Sequence, residues 1–253
     1  MKFGCCANID ELGVVKASGA DFIEFPVVKI MQADIDLLKA SLDNASVCAY
    51  SFNLFLPASL KITGPLVAIK KTKEYVDEAL RRVHYIGGKV VVFGSGKSRS
   101  YPPSFPERRA KNQLIDFLKV AAEYAEKYKV KVAIEPLNKN ESNIINTCLE
   151  ALELAQIIDS FWIGVLIDNY HADIEGEPLS NLEKIGKKLY HVHISDKRRL
   201  PPGKGNYNFE RLFEALRDIN YEGYISIECS WEDKEKELPW SLRYLKEKWE
   251  KVV

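Results

Sequence analysis

Short runs of β-branched and aromatic residues alternate along this chain with longer stretches whose apolar positions recur every three or four residues. The strand-like runs fall at 2–7, 22–27, 46–53, 89–93, 130–135, 161–168, 189–195 and 221–228. Helical spacing fills the gaps at 9–18, 34–42, 66–86, 108–128, 149–158, 182–188, 209–219 and 240–251. The punctuation agrees: Gly19 and Gly87-Gly88 stop helices, while Thr147 and Asn208 cap them. Strand followed by helix, eight times over, predicts an α/β protein with a parallel sheet covered by helices. No linker interrupts the pattern, so residues 1–253 read as one domain. At this length eight units close into a (β/α)8 TIM barrel; an open doubly wound sheet is the alternative.

Composition narrows the function classes. Hydrophobic residues make up 46% of the chain, which is enough for a large core. Lys+Arg and Asp+Glu number 36 each, so no whole-molecule field draws the chain to nucleic acid or an acidic membrane. No apolar run approaches the roughly 20 residues of a membrane span. The start, MKFGCCANIDELG, reaches acidic residues too soon for a signal peptide. The five cysteines are odd in number and lack CxxC spacing, which points to a reducing, cytoplasmic setting.

The ends of the last four strands carry the candidate chemistry. Strand five alternates Val132 and Ile134 with Ala133 and Glu135 before Pro136 stops the pairing. Strand six ends at Asp168, strand seven carries His191 and His193, and strand eight ends at Glu228. On each strand the opposite parity holds branched apolar residues: Val165 and Ile167, Val192 and Ile194, Ile225 and Ile227. Those suit packing against outer helices. Glu135, Asp168, His193 and Glu228 therefore point into the barrel at its C-terminal mouth. Three carboxylates repel one another without a cation between them, so the set predicts one divalent metal ion per chain. Three oxygen donors with one imidazole suit Mn2+, Mg2+ or Co2+, and also Zn2+. Plainer readings attach to other residues. His191 is expected to be a core histidine with a backbone partner, Asp196 a loop or cap residue, and Cys5 and Cys6 small core residues. GSGKSRS after Phe93 lacks the phosphate-loop spacing and reads as a flexible mouth loop, where Lys97 and Arg99 could meet an anionic group.

The segments IEPLNKNE, IDNYHAD, HVHISDKRRLPPGKG and ISIECS resemble the xylose-isomerase-like barrel superfamily, in its branch of ketose 3-epimerases and sugar-phosphate isomerase/epimerase proteins. The resemblance covers nearly the whole chain and extends to TGPL at Thr63–Leu66. It implies that Glu135, Asp168, His193 and Glu228 hold the metal, and that Glu135 and Glu228 pass protons to and from a sugar. It further implies that Glu141, His171 and Arg199 bind substrate, that the partner is a sugar or sugar phosphate, and that the protein forms homodimers or homotetramers. Cys5-Cys6 and Gly94-Ser95-Gly96 depart from the aromatics that many epimerases place near the sugar.

The implied reaction removes a proton beside a ketose carbonyl through an enediolate, with one carboxylate as base and the other as acid. Inosose dehydratases of the same superfamily begin with the same step and then expel water. An endonuclease IV-like phosphodiesterase needs histidines at the ends of strands three and four, where Asn53 and Gly94 stand, and His84 in a helix is no substitute. A non-catalytic sugar-binding protein is the remaining reading, and it has no need of the carboxylate pair.

Overall fold

The computed structural model describes residues 1–252. Eight parallel strands close into a barrel in chain order: β1 (Lys2–Cys6), β2 (Phe22–Pro26), β3 (Ala49–Asn53), β4 (Val90–Phe93), β5 (Lys131–Ile134), β6 (Ile163–Asp168), β7 (Leu189–Ile194) and β8 (Tyr224–Ile227). Helices lie between the strands, as the alternation predicts. The fold is a single-domain (β/α)8 TIM barrel.

Alternation along each strand sorts two cores. Outward residues such as Val132, Ile134, Val165, Ile167, Ile225 and Ile227 are buried with the helices in one large cluster. Inside, Val90, Val92, Ala133, Leu166 and Tyr190 form a smaller one. Each fully buried branched or aromatic side chain contributes about 1.5–3 kcal/mol, so the outer cluster dominates stability and the interior is left free for polar groups.

Two register shifts alter the simple parity. Ile23 pairs with Ala49 and Glu24 with Ser51, so Tyr50 is an extra residue in β3. Val165 pairs with Leu189 and Leu166 with His191, so Tyr190 is extra in β7. Each bulge places an aromatic and the polar residue after it on the inner side. Tyr50 and Tyr224 then stack 3.5 Å apart at the N-terminal end, with Phe22 edge-on to both.

Element bounds shift modestly from the expectations. The helix expected at 149–158 is Cys148–Ile158, and Thr147 caps it in a capping box with Glu150. The last helix, expected over 240–251, runs over Lys234–Glu250 with Pro239 inside it. Two short helices escaped the periodicity, Val27–Ile30 and Asn169–Glu175. The segment read as a flexible mouth loop holds a helical turn, Gly96–Arg99. Its Arg99 is fully buried and donates to the Phe93 and Ile145 carbonyls at 3.1 and 3.2 Å and to Ser142 Oγ at 3.4 Å. Burial pulls the guanidinium down to about 10. Arg99 therefore ties the loop after β4 to the loop after β5 and cannot meet an anion; Lys97 remains exposed.

Among the described residues no helix is long and apolar enough to cross a membrane.

Candidate metal and sugar site

The four strand-end residues converge. Glu135, Asp168, His193 and Glu228 each offer a donor atom, and these atoms all lie within 4.8 Å of one another. His193 Nδ1 stands 3.4 Å from both Glu135 Oε1 and Glu228 Oε2. His193 Nδ1 is buried without a hydrogen-bond partner, and the buried Asp168 Oδ2 makes no hydrogen bond beyond its ion pair with Arg199. Unsatisfied buried polar atoms are rare in native proteins. An unpartnered imidazole nitrogen among three carboxylates, a cluster of hard and borderline donors, fits a divalent cation.

The electrostatics of the cluster are strongly perturbed. Burial raises the Asp168 carboxyl to about 6, against the pull of Arg199 and His171. Burial acts the same way on Glu228, but His193 and Arg199 outweigh it and hold that carboxyl well below the usual range. Burial disfavours the His193 cation, yet Glu24 and Glu228 lift its pKa well above the usual imidazole value. Perturbed groups gathered in a cleft mark functional sites. Gly94 permits the crowding, since a Cβ there would overlap Glu135 Oε2. Gly94→Ala is expected to fold normally, because only a side-chain end must move. On the role that the resemblance implies for Glu135, it should lose about 100-fold in turnover, the penalty for displacing such a group by about 1 Å. Turnover measured beside thermal unfolding checks this.

The three positions implied as substrate-binding line the same cavity, of about 480 Å³, together with Asn53, Gly94 and Lys97. His171 Nδ1 accepts from the Asn138 backbone N–H at 3.2 Å and lies 2.8 Å from Asn138 Nδ2. Nε2 lies 3.0 Å from Arg199 Nη2, so the ring and the guanidinium are in direct contact at the cavity wall. Glu141 Oε1 accepts from Asn138 Nδ2 at 3.0 Å, so it acts on His171 through that amide. Arg199 Nη1 lies 2.7 Å from Glu228 Oε2 and 2.9 Å from Asp168 Oδ2, with its guanidinium 4.3 Å over the Tyr170 ring. Arg198 and Arg199 both have left-handed backbones, φ 62° and 60°. Strain of this kind in consecutive non-glycine residues costs on the order of 1–3 kcal/mol each and turns the Arg199 side chain back over the mouth.

Other expectations resolve plainly. Asp196 accepts from the backbone N–H groups of Lys197, Gly203 and Tyr207, as a loop residue does. His191 is a core histidine, but its partners are Glu24 Oε2 at 2.8 Å and Ser226 Oγ at 2.9 Å, not a backbone group. Cys5 is buried in the core with its thiol raised to about 12, chiefly by burial. Burial likewise drives the Cys6 thiol well above its usual value, so neither is a reactive thiolate. Trp240 packs on the Tyr244 ring.

One residue went unread in the sequence. Glu24 on β2 is fully buried beneath the cluster and 2.8 Å from His193 Nε2. The same alternation that exposed the other acids was there: Ile23 and Phe25 join the outer core. Glu24 lies short of its strand end, where the search for mouth residues did not look.

Comparison with known proteins agrees with this geometry. The family described as xylose isomerase-like TIM barrel matches residues 12–248. L-ribulose 3-epimerase from Methylomonas sp. (strain DH-1) is 30% identical over 218 residues, covering 83% of this chain and 74% of that protein. The 3-dehydro-D-guloside 4-epimerase of Escherichia coli (strain K12) is 31% identical over 160 residues, 60% of this chain and 61% of the relative. The aligned segments span between 46% and 74% of the lengths of these and two similar epimerases. The crystal structure of D-allulose 3-epimerase from Methylomonas sp. in complex with D-allulose superposes with a TM-score of 0.87 at 22% identity. It covers 98% of this chain and 97% of that one, which is a likeness of fold.

Proposed function

This chain belongs to the xylose isomerase-like TIM barrel family, and from that premise we propose that it is a divalent-metal-dependent isomerase that inverts a carbon beside the carbonyl of a ketose or ketose phosphate. The observation that carries the reading is the four-residue cluster around the unpartnered His193 Nδ1, set against a cavity lined by Glu141, His171 and Arg199. The named activities of the relatives, 3-epimerase and 4-epimerase, support it.

Glu135, Asp168, His193 and Glu228 would hold the ion. When bound, it supplies Lewis-acid stabilisation of the negative charge that develops on the sugar oxygens. The rest falls to side chains. Glu135 comes from the end of β5 and Glu228 from the end of β8, so the two carboxylates reach the cavity from different directions. One takes the proton from the carbon beside the carbonyl; the other returns a proton to the opposite face. One proton leaves and one arrives, so the product is an epimer with no change in composition. His171 and Arg199 line the cavity side by side and would hold sugar oxygens there. Glu141 steadies His171 through Asn138.

The test is a screen of D-allulose, D-fructose, L-ribulose and their phosphates in D2O with added Mn2+. The expected result is deuterium at the inverted carbon with retention of all oxygen, and complete loss of exchange after chelation, restored by Mn2+. A product lighter by one water would assign a dehydratase instead. Exchange indifferent to chelator would remove the metal from the reaction.

A further inference from the structure

We infer that Glu24 is the positioning residue that decides which ring nitrogen of His193 faces the metal-binding cluster. The inference rests on the proposed reading only in that a divalent ion binds among Glu135, Asp168, His193 and Glu228.

The division of labour between the two Glu24 oxygens carries the case. Oε1 meets His193 Nε2 at 2.8 Å and receives no other hydrogen bond. Oε2 receives Ser51 Oγ at 2.6 Å, Ser226 Oγ at 2.5 Å and His191 Nε2 at 2.8 Å. These come from β3, β8 and β7, so three strands clamp one oxygen and leave the other aimed at a single ring. No lysine or arginine bonds to this carboxylate. With Oε2 already accepting two hydroxyls, the carboxylate presents Oε1 to His193 Nε2 as an acceptor. The hydrogen then sits on Nε2, and the lone pair available to a cation lies on Nδ1. That nitrogen is the one buried beside Glu135 and Glu228 without a hydrogen-bond partner. With an acceptor fixed behind it, the imidazole is held in one tautomer and one ring plane and is made more basic. Such carboxylate partners of ligating histidines are typically worth about 10- to 100-fold in metal affinity.

A purely architectural role for Glu24 predicts something different. Its contact to His191 should then matter as much as its contact to His193, because His191 is buried in the same network. The experiment measures Mn2+ affinity by calorimetry, independently of turnover, for the whole chain and two variants. Glu24→Gln is expected to bind Mn2+ about 10- to 100-fold more weakly while remaining folded. His191→Gln, which spares the Oε1–His193 contact, is expected to stay within about threefold of the parent, well inside that range. Equal losses in both variants, or no loss in Glu24→Gln, overturn the assignment. Should Glu24→Gln fail to fold, 15N NMR of the unaltered chain loaded with Zn2+ decides. The chain has four histidines, which keeps the spectrum assignable. A hydrogen on His193 Nε2 and the ion on Nδ1 uphold the assignment; the reverse sinks it. If the unaltered chain binds no Mn2+, this inference and the proposed function fall together. If it binds Mn2+ and exchanges deuterium while Glu24→Gln binds equally well, only the role of Glu24 is lost.

Discussion

Glu135→Gln is expected to lower deuterium exchange into the ketose by about 10²- to 10⁴-fold, the usual worth of a positioned acid or base, with saturating Mn2+ present. The amide matches the carboxylate in shape, so the close fit against Gly94 survives and thermal unfolding should change little. It cannot take a proton, however, and it is a poorer donor to a hard cation. Two effects are therefore superimposed, and titrating Mn2+ separates them: weaker chelation is overcome at high ion concentration, and a lost base is not. Exchange that returns to the parental rate at saturating Mn2+ would show that Glu135 is a ligand without a proton to move. The same measurement on Glu228→Gln, with a substrate approached from each epimer, identifies which carboxylate acts first in each direction.

The second large effect is on folding. Arg99→Ala is expected to destabilise the protein by about 3–5 kcal/mol, through a cavity and the loss of its hydrogen bonds to two buried carbonyls, each of which keeps one backbone N–H donor. Those carbonyls belong to Phe93 and Ile145, on either side of Glu135 in the chain. For a domain of this size the unfolding midpoint should fall by about 10 °C. Arg99→Lys keeps the charge but not the planar fork, and is expected to recover less than half of the loss. A midpoint unchanged in Arg99→Ala would mean that the side chain is a mobile surface group after all.

Those two residues also mark how far the sequence could be read. Glu135, Asp168, His193 and Glu228 were legible because each ends a strand whose other face is Val or Ile, so parity alone assigns the side. The barrel followed from the same alternation. Arg99 was not legible: GSGKSRS has the composition of a mobile turn, and its acceptors at Ser142 and Ile145 lie more than 40 residues away. Ser51 was hidden for another reason. The bulge at Tyr50 shifts the register of β3 against β2, and no local pattern announces an extra residue. His191 kept its expected side because the β7 bulge precedes it.

The aromatic layer of Phe22, Tyr50 and Tyr224 has a kinetic corollary. It packs the tube from below, while the cavity opens above the acids. On the proposed reading, a sugar would depart by the route it came in, and no second molecule would queue behind it. Any compound lodged at that opening should therefore slow the forward and reverse conversions alike, and should compete with whichever sugar is supplied.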